Sequence, residues 1–469
     1  MHPAAGIDRP PTLQVLRFSG CTDLVELARS QPGRYPFLLQ SEAANDQLAR
    51  FDILFACPGE TLELTHDQLR GPCADPADGF LSSLDHWWAE EGGESWQPPD
   101  HLAEESLPFR GGWFIYLGYE LAGEIEPGLT LSMPDDQPVA FATRIPVAVI
   151  NDRQKNEMLL IAEPHAEIDQ VRQDIESLTT TSASSSVSIH DLSEEEPEHF
   201  LAAVDSAKDY IRQGEIFQAN LSRCWRASAS SPFAITDLYK RLCETNPAPF
   251  AGMIQRQDFA VISSSPERLI RRQGDRLDTR PIAGTRPRLE AGFDGASNAA
   301  MQEELLAHPK ERAEHIMLID LERNDLGRVS LGGSVRVDEY MVLESYSHVH
   351  HIVSNVTGEA RPGLKPGELI RAVFPGGTIT GCPKVRCMEI IHELEARPRG
   401  AYTGSMGYLN LNGDCDLNIL IRTMTVKGGD IELAAGSGIV ADSIPEAELE
   451  ETRAKAKGLV LALNVAGAA

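Results

Sequence analysis

The sequence predicts an α+β protein in which large, mainly antiparallel β-sheets form a sandwich flanked by helices. Many short runs are rich in Val, Ile, Leu and Phe and are bounded by Gly, Pro or Asp, which is typical of strands. Helix-like segments are interspersed among these runs without a regular β-α-β alternation, which favours antiparallel sheets. With 469 residues, the chain is too long for one ordinary compact core.

The predicted strands lie on both sides of a polar stretch at residues 177–196, SLTTTSASSSVSIHDLSEEE. Because this stretch has little to bury, we predict that it is a linker. It would separate an N-terminal β-rich domain at residues 1–176 from a C-terminal domain at residues 197–465, which begins with a helix at 197–213. We predict strands at residues 37–40, 51–55, 113–117, 147–151, 157–162, 260–264, 276–281, 334–343, 350–356 and 417–426.

The composition excludes several classes of function. The formal net charge of −28 disfavours nucleic acids and anionic membrane surfaces as partners, because both are bound through basic side chains. The N-terminus lacks the features of a signal peptide, and no apolar run approaches the roughly 20 residues that span a bilayer. The eight cysteines include no C-x-x-C pair, so we expect reduced thiols in a cytoplasmic protein.

Two acidic helices are candidates for chemistry. In the first, residues 308–324, Glu314 shares a face with Met317, Leu318 and Leu321. A carboxylate on an apolar stripe is costly to bury unless it meets a cation or hydrogen-bond donors. A salt-bridged glutamate at the edge of the core explains this pattern equally well.

The second acidic helix follows residue 442 and places Glu448, Glu451 and Lys455 on one face, because they are spaced i, i+3 and i+7. Two carboxylates and a lysine on one face can serve a hard cation and an anionic substrate. A solvated charged face is the commoner explanation of such a pattern taken alone.

Three Gly-rich turns can expose backbone N–H groups beside Arg and Lys: RPIAGTRPR, FPGGTITGCPKVR and AGSGI. None of them has P-loop spacing, and each one read singly is typical of a plain turn. In the predicted strand HVHHIVSNV, His351 faces the opposite side from its two neighbouring histidines. The chain has no G-x-S-x-G or G-x-C-x-G elbow, so a serine hydrolase or a glutaminase is not expected.

Five motifs in order (SSSPERL, RPIAGTRPR, KERAEHIMLIDLERNDLGRV, FPGGTITGCPKVRCMEII and GSGIVADSIPEAELEET) resemble the chorismate-utilising family. That family includes component I of anthranilate synthase and of aminodeoxychorismate synthase, as well as isochorismate and salicylate synthases. The similarity extends over about residues 197–465 and implies the fold of anthranilate synthase component I. The motifs are specific as an ordered set, although no single one is.

The resemblance implies a Mg²⁺-dependent reaction of chorismate. Glu314 and Glu451 resemble the Mg²⁺ ligands, with Glu448 beside them, and the ion would hold the ring carboxylate. Glu267 resembles the acid that protonates the departing C4 hydroxyl, a role that suits a carboxyl whose pKa is raised by burial. His351 resembles the histidine near the reacting ring.

The resemblance also implies a set of substrate contacts in the Gly-rich motifs and the strands and helix beside them. These residues are Gly284 and Thr285 at the ring carboxylate, Tyr402, Arg422, Gly436, Gly438 and Lys455 around the enolpyruvyl carboxylate, and Thr378, Thr380 and Lys384 in the motif FPGGTITGCPK.

Gln218 and Ala283 bear on the reaction type. Water-using members of the family carry a lysine base where this chain has Gln218, and a neutral amide cannot act as that base, so ammonia is the expected nucleophile. The N-terminal half, for example RFDILFACPG, resembles the aminodeoxychorismate enzymes of p-aminobenzoate and folate biosynthesis. Many of these have a lysine nucleophile where Ala283 stands, and alanine at this position is what anthranilate synthases carry.

We therefore expect amination at C4 of chorismate, with anthranilate formation as the alternative. A non-catalytic regulatory subunit of the same fold is a further alternative, but the retained acidic residues speak against it. Since the chain has no glutaminase elbow, the use of glutamine would require a separate amidotransferase subunit. The segment FLLQS at residues 37–41 resembles a tryptophan pocket of relatives, and an inward-facing strand explains it equally well.

Overall fold

The computed structural model describes residues 13–41, 50–93, 107–134, 137–178, 189–229, 232–287, 303, 309–345 and 349–463. Within these ranges the chain forms two large antiparallel β-sheets, of twelve and eleven strands, and ten α-helices. This architecture confirms the predicted α+β class with large antiparallel sheets.

The first sheet is continuous from the N-terminal strand to a strand at residues 189–194, within the polar stretch. A short strand, β19 (Gly381–Cys382), pairs with β11 outside the main order. In spatial order the other strands are β1 (Gln14–Ser19), β9 (Glu157–Ala162), β8 (Val147–Asp152), β3 (Phe51–Ala56), β2 (Phe37–Gln40), β12 (Phe250–Gln255), β13 (Ala260–Ser265), β22 (Thr423–Lys427), β23 (Asp430–Ile439), β11 (Gln218–Ala229) and β10 (Ile189–Glu194).

The second sheet faces the first. One strand, β17 (Arg336–Ser345), pairs with β18 outside the main order. In spatial order the other strands are β16 (Ile282–Pro287), β18 (Val349–Glu359), β15 (Arg276–Arg280), β14 (Arg268–Gln273), β21 (Cys415–Asn418), β20 (Ser405–Asn410), β6 (Gly112–Leu117), β7 (Ala140–Ile145), β4 (Thr61–Leu64) and β5 (Leu69–Arg70).

Helices cover the outer faces of both sheets. The first begins at a side-chain cap, in which the Asp23 carboxylate accepts hydrogen bonds from the N–H groups of Val25 and Glu26. The helices are α1 (Leu24–Ser30), α2 (Gly79–Glu90), α3 (Ala122–Ile125), α4 (Asp169–Ser177), α5 (Pro197–Arg212), α6 (Ile235–Thr245), α7 (Pro309–Gly327), α8 (Pro366–Val373), α9 (Lys384–Glu395) and α10 (Pro445–Leu463).

The core between the sheets is aromatic. Phe37 of β2 and Phe114 of β6 stack with ring centroids 4.1 Å apart, and Phe55 and Phe141 pack around them. Because such rings bury large apolar areas, this contact joins the sheets into one body. Further apolar clusters lie between the first sheet and α1, α6 and α10, and between the second sheet and α2 and α8.

Several predicted elements need correction. The run at residues 417–426 was expected as one strand, but it divides into β21 and β22, which belong to different sheets. Arg422 adopts a positive φ of 54° at the break, which is incompatible with a continuous strand. The polar stretch 177–196 is also not a linker throughout, since residues 189–194 form β10 and pair with β11.

Strands from both sides of the polar stretch contribute to each sheet. For example, β2 pairs with β12 in the first sheet, and β6 pairs with β20 in the second. The predicted domain limits therefore do not correspond to separate sheets, and residues 179–188 lie outside the described ranges. In the part of the chain that the structure describes, no helix is long and apolar enough to cross a membrane. All eight cysteines lie in these ranges, and none forms a disulfide.

Candidate active site

Glu267 is a buried acid at the point where the chain passes from β13 in the first sheet to β14 in the second. Its side chain is only 5% exposed. Burial raises the pKa of Glu267 to about 7, because the neighbouring Thr378 hydroxyl, the Ile282 N–H and the cations Lys455 and Arg422 offset the desolvation only in part. A carboxyl with this pKa is protonated in about half of the molecules at pH 7 and can donate its proton.

Gly436 and Gly438, at the C-terminal end of β23, form a surface without side chains that several candidate residues approach. We call this surface the glycine floor. A Cβ atom added to Gly438 would lie 2.5 Å from Gln218 Nε2 and 3.1 Å from Glu314 Oε1. A Cβ atom added to Gly436 would lie 2.8 Å from the Tyr402 hydroxyl. Alternate residues of a strand share a face, so β11, α7 and the segment before β20 present these three side chains to the same side of β23.

Helix α10 contributes a lysine and two carboxylates beside this floor. Lys455 Nζ donates a hydrogen bond of 3.0 Å to the Gly436 carbonyl and forms an ion pair of 2.7 Å with Glu451. Glu448 lies one turn before Glu451 and is buried. The predicted face of Glu448, Glu451 and Lys455 therefore borders β23, with Glu448 buried and Glu451 exposed to solvent.

Arg422 connects the acid with the residues of α10. It lies in the break between β21 and β22 and is half-buried. Burial lowers the pKa of the Arg422 guanidinium, while the charges of Tyr402, Glu451 and Glu267 act in the opposite direction. These electrostatic interactions place a half-buried cation near the three groups, where it can attract an anionic ligand.

Three buried polar atoms in this region have no hydrogen-bond partner among the described residues. They are Gln218 Oε1, Glu267 Oε1 and Thr378 Oγ1, of which the last two belong to neighbouring side chains. A buried polar atom left without a partner costs about 1–3 kcal/mol. Of the three, the Glu267 carboxyl lies near Lys455 and Arg422, so an anionic ligand that also carries a hydroxyl group fits this region.

The carboxylates fit a divalent ion that is completed by its ligands. Within the described ranges, no three His, Cys, Asp or Glu side chains form a ready-made metal cluster. Mg²⁺ is usually held by only one or two carboxylates, with waters and substrate oxygens completing its shell. Glu314 approaches Gly438, and Glu451 pairs with Lys455, which contacts Gly436. Both carboxylates therefore border the same end of β23, and they are the residues that would hold such an ion.

Other predicted site residues occupy different environments. The Thr380 hydroxyl donates 2.9 Å to the Gly376 carbonyl, and Lys384 Nζ forms a 2.5 Å ion pair with Asp325, so both groups have partners within the protein. His351 Nδ1 lies 3.4 Å from the Gly284 carbonyl, where β18 pairs with β16. The side chains of Ala283 and Thr285 are outside the described part of the chain.

A buried ion pair behind the floor was missed from the sequence. Arg399 pairs with Glu395 at 2.6 Å and donates to the carbonyls of Asn220 at 2.7 Å and Ile379 at 3.1 Å. It thereby ties β11 to the turn that carries Thr378. The i, i+4 spacing of Glu395 and Arg399 in EARPR is a signal of this pair, but the helix ends at Glu395, so helical periodicity does not predict it.

The segment FLLQS lies away from this region. Its residues Leu39, Gln40 and Ser41 line a cavity of about 330 Å³ between the sheets, together with Met406 and Tyr408. None of the described candidate catalytic residues lines this cavity. The inward-facing strand is thus observed, and tryptophan binding stays a prediction.

Comparison with known proteins agrees with these motifs. A sequence profile described as chorismate binding enzyme matches residues 37–460. An anthranilate synthase component I-like protein of Synechocystis sp. is 44% identical over 363 residues, which are 77% of this chain and 74% of that protein. Aminodeoxychorismate synthase component 1 of Bacillus subtilis is 42% identical over 372 residues, 76% of this chain and 78% of that protein.

The fold comparison gives the same result. The crystal structure of anthranilate synthase component I from Streptococcus pneumoniae superposes with a TM-score of 0.76 at 30% identity, covering 88% of this chain and 92% of that one. The profile covers far more than half of the sequence, and two relatives exceed 40% identity over most of their length. The chain therefore belongs to the family of chorismate binding enzymes.

Proposed function

We propose that this chain is component I of an aminodeoxychorismate synthase, which aminates chorismate with ammonia in the presence of Mg²⁺. The product is 4-amino-4-deoxychorismate, a precursor of p-aminobenzoate in folate biosynthesis. The N-terminal half supports this choice through its resemblance to the aminodeoxychorismate enzymes, and the Bacillus subtilis relative carries that name.

The observation that carries the choice of nucleophile is the buried amide of Gln218. Its Nε2 lies 3.5 Å from Glu314 Oε1, and its Oε1 has no partner among the described residues. A neutral amide accepts hydrogen bonds but cannot remove a proton from water at neutral pH. Gln218 Oε1 can instead accept a hydrogen bond from ammonia, which is nucleophilic without prior deprotonation.

In this proposal Glu267 is the general acid. Its proton leaves with the C4 hydroxyl as water when the C4–O bond breaks, and ammonia forms the new C–N bond. The ammonium adduct then loses one proton, which restores the protonated Glu267. The raised pKa of Glu267 serves this cycle, because a carboxyl with an ordinary pKa would be ionised before the reaction begins.

The cations of the region would hold the carboxylates of chorismate. Lys455 and Arg422 both lie close enough to influence the Glu267 carboxyl, and the Tyr402 hydroxyl faces Gly436. An anionic substrate held by these groups would lie next to the acid. Mg²⁺ held by Glu314 and Glu451, with Glu448 beside them, would supply charge neutralisation at the ring carboxylate.

Ammonia would come from a separate glutamine amidotransferase subunit. The names of the relatives describe a component of a synthase. This chain has no glutaminase elbow in its sequence. We expect the purified chain to use ammonium salts and to gain glutamine-dependent activity only with its partner.

Anthranilate synthase is the second candidate, and Ala283 favours it. Without a lysine at this position, no enzyme amine can add to the ring before ammonia does, so attack of ammonia at C2 is a direct route to anthranilate and pyruvate. A non-catalytic subunit is the third candidate. It gains no support from the meeting of Gln218 and Glu314 at Gly438, or from the cations Lys455 and Arg422 that act on Glu267.

One experiment distinguishes these candidates. The purified chain is incubated with chorismate, MgCl₂ and an ammonium salt, and the products are separated by chromatography and identified by mass and fluorescence. We expect 4-amino-4-deoxychorismate, with no product when glutamine replaces ammonium. Fluorescent anthranilate with equimolar pyruvate would establish the second candidate instead, and unchanged chorismate would leave only the third.

A further inference from the structure

Helix α10, which carries Glu451 and Lys455, is in close contact with the end of α6 at a glycine. Glu451, Lys455 and Gly458 follow one another at i, i+4 and i+7, so they share one face of the helix. A Cβ atom added to Gly458 would lie 2.9 Å from the Cβ atom and 3.0 Å from the Oδ1 atom of Asn246. The side chain of Asn246 therefore packs directly against the backbone of α10.

Asn246 also binds the strand that leads to the acid. Its Nδ2 donates hydrogen bonds to the Ser264 carbonyl at 3.3 Å and to the Ser264 hydroxyl at 3.1 Å, and that hydroxyl donates in turn to the Asn246 carbonyl. Ser264 is fully buried in β13, three residues before Glu267, and its N–H donates to the Arg422 carbonyl at 3.1 Å. One side chain thus connects α10 with the segments that carry Glu267 and Arg422.

The close approach of α10 depends on the missing side chain of Gly458. The neighbouring Thr245 hydroxyl donates a hydrogen bond of 2.8 Å to the Gly458 carbonyl, which holds the helix at this point. Because the Cβ atom of Asn246 is bonded directly to the backbone, rotation of its side chain does not relieve a clash with an added methyl group. About 0.5 Å of movement separates that clash from an ordinary contact of 3.4 Å, so α10 or the segment at Asn246 would have to shift.

We propose that Asn246 and Gly458 are positioning residues that set the distance of Glu451 and Lys455 from Glu267, a role that rests on the proposed function. On α10 lie groups that would hold Mg²⁺ and a carboxylate of chorismate, and the acid lies at the end of the strand that Asn246 binds. One chorismate molecule has to reach both sets of groups at once. The position of α10 at Gly458 therefore determines how well the bound substrate fits both.

Gly458→Ala tests this role. Chorismate affinity in the presence of MgCl₂ is measured by calorimetry, and kcat/KM is measured as consumption of chorismate. We expect each to fall roughly tenfold, because displacement of α10 weakens a charge-assisted contact with the substrate. In the Asn246→Gly background the added methyl group has room, so the same change should cost less than about twofold. Residues that only stabilise the fold would be coupled in Tm but not in chorismate affinity.

Gly327→Ala is the matched control. Gly327 also ends a helix of the site, α7, and a Cβ atom added there meets nothing within 4 Å. Its chorismate affinity and kcat/KM should equal those of the wild type. Asn246→Ala keeps the Cβ contact with Gly458 and removes the hydrogen bonds to Ser264, so it should lower the affinity by a smaller factor. It provides the test if Gly458→Ala does not fold.

Three results would overturn the proposal. They are an equal loss of affinity from Gly458→Ala in both backgrounds, a lower Tm of Gly458→Ala with unchanged affinity, and an unchanged affinity of Asn246→Ala. Binding is measured whatever product forms. Failure of the proposed function therefore shows separately, as anthranilate or no product from the wild type.

Discussion

Gln218 Nε2 lies 3.5 Å from Glu314 Oε1, directly over the backbone of Gly438. The first residue belongs to β11 and the second to α7, and they are 96 positions apart in the chain. This contact places the candidate site of the nucleophile beside a candidate Mg²⁺ ligand. Since ammonia and the ring carboxylate must meet on one substrate molecule, their binding groups have to be neighbours in this way.

Gly438→Ala should therefore damage the site without disturbing the fold. The added Cβ would approach Gln218 Nε2 to 2.5 Å and Glu314 Oε1 to 3.1 Å, so one of these side chains must move. A displacement of about 1 Å in a catalytic group can cost roughly 100-fold in rate. We expect a loss of this order in kcat/KM with an unchanged Tm. Gly128→Ala, where a Cβ meets nothing within 4 Å, should keep full activity, and equal loss in both variants would argue against the assignment.

The carboxylates Glu314 and Glu451 should determine the Mg²⁺ requirement. Each Glu→Gln change keeps the side-chain size but removes a charge that a hard cation requires. We expect kcat/KM to fall by about 100-fold or more and the Mg²⁺ concentration for half-maximal activity to rise. Titration of activity with MgCl₂ measures both. Glu432→Gln, which removes one partner of an exposed ion pair with Arg226, is the control, and its Mg²⁺ dependence should equal that of the wild type.

Activity should depend on a protonated Glu267. Because the pKa of Glu267 is raised to about 7, the carboxyl is protonated below this pH and loses its proton above it. We therefore expect kcat/KM, measured at constant free ammonia, to fall as the pH rises through about 7. Glu267→Gln should lower kcat by about 10²- to 10⁴-fold and abolish this titration. Chorismate binding measured by calorimetry should survive in this variant. Retention of the alkaline fall in Glu267→Gln would show that another group titrates.

The sequence predicts the fold well where local chemistry decides it. The strands Phe37–Gln40 and Glu157–Ala162 coincide with their predicted bounds, since apolar runs ended by turn residues suit a buried strand. The prediction of one strand at residues 417–426 was wrong. The strand-like pattern continues across Arg422, but the backbone passes there from one sheet to the other. Pairing of β2 with β12, some 200 residues later, is also beyond local patterns.

The site was predicted unevenly for the same reason. The spacing of Glu448, Glu451 and Lys455 shows that they share a face, but only the tertiary structure shows that this face borders β23. Gly436 and Gly438 matter because side chains from three other elements approach them, which no turn motif reveals. Arg399 acts through contacts with distant segments, so its role appears only in the folded chain.

A crystal structure of the Glu267→Gln variant with chorismate and Mg²⁺ would show whether Glu314 and Glu451 bind one ion together with the substrate. We predict one ion about 2.1 Å from carboxylate oxygens of both Glu314 and Glu451, bound also to the ring carboxylate of chorismate. The C4 hydroxyl should point at residue 267. Chorismate bound elsewhere, or an ion that contacts neither carboxylate, would contradict the account.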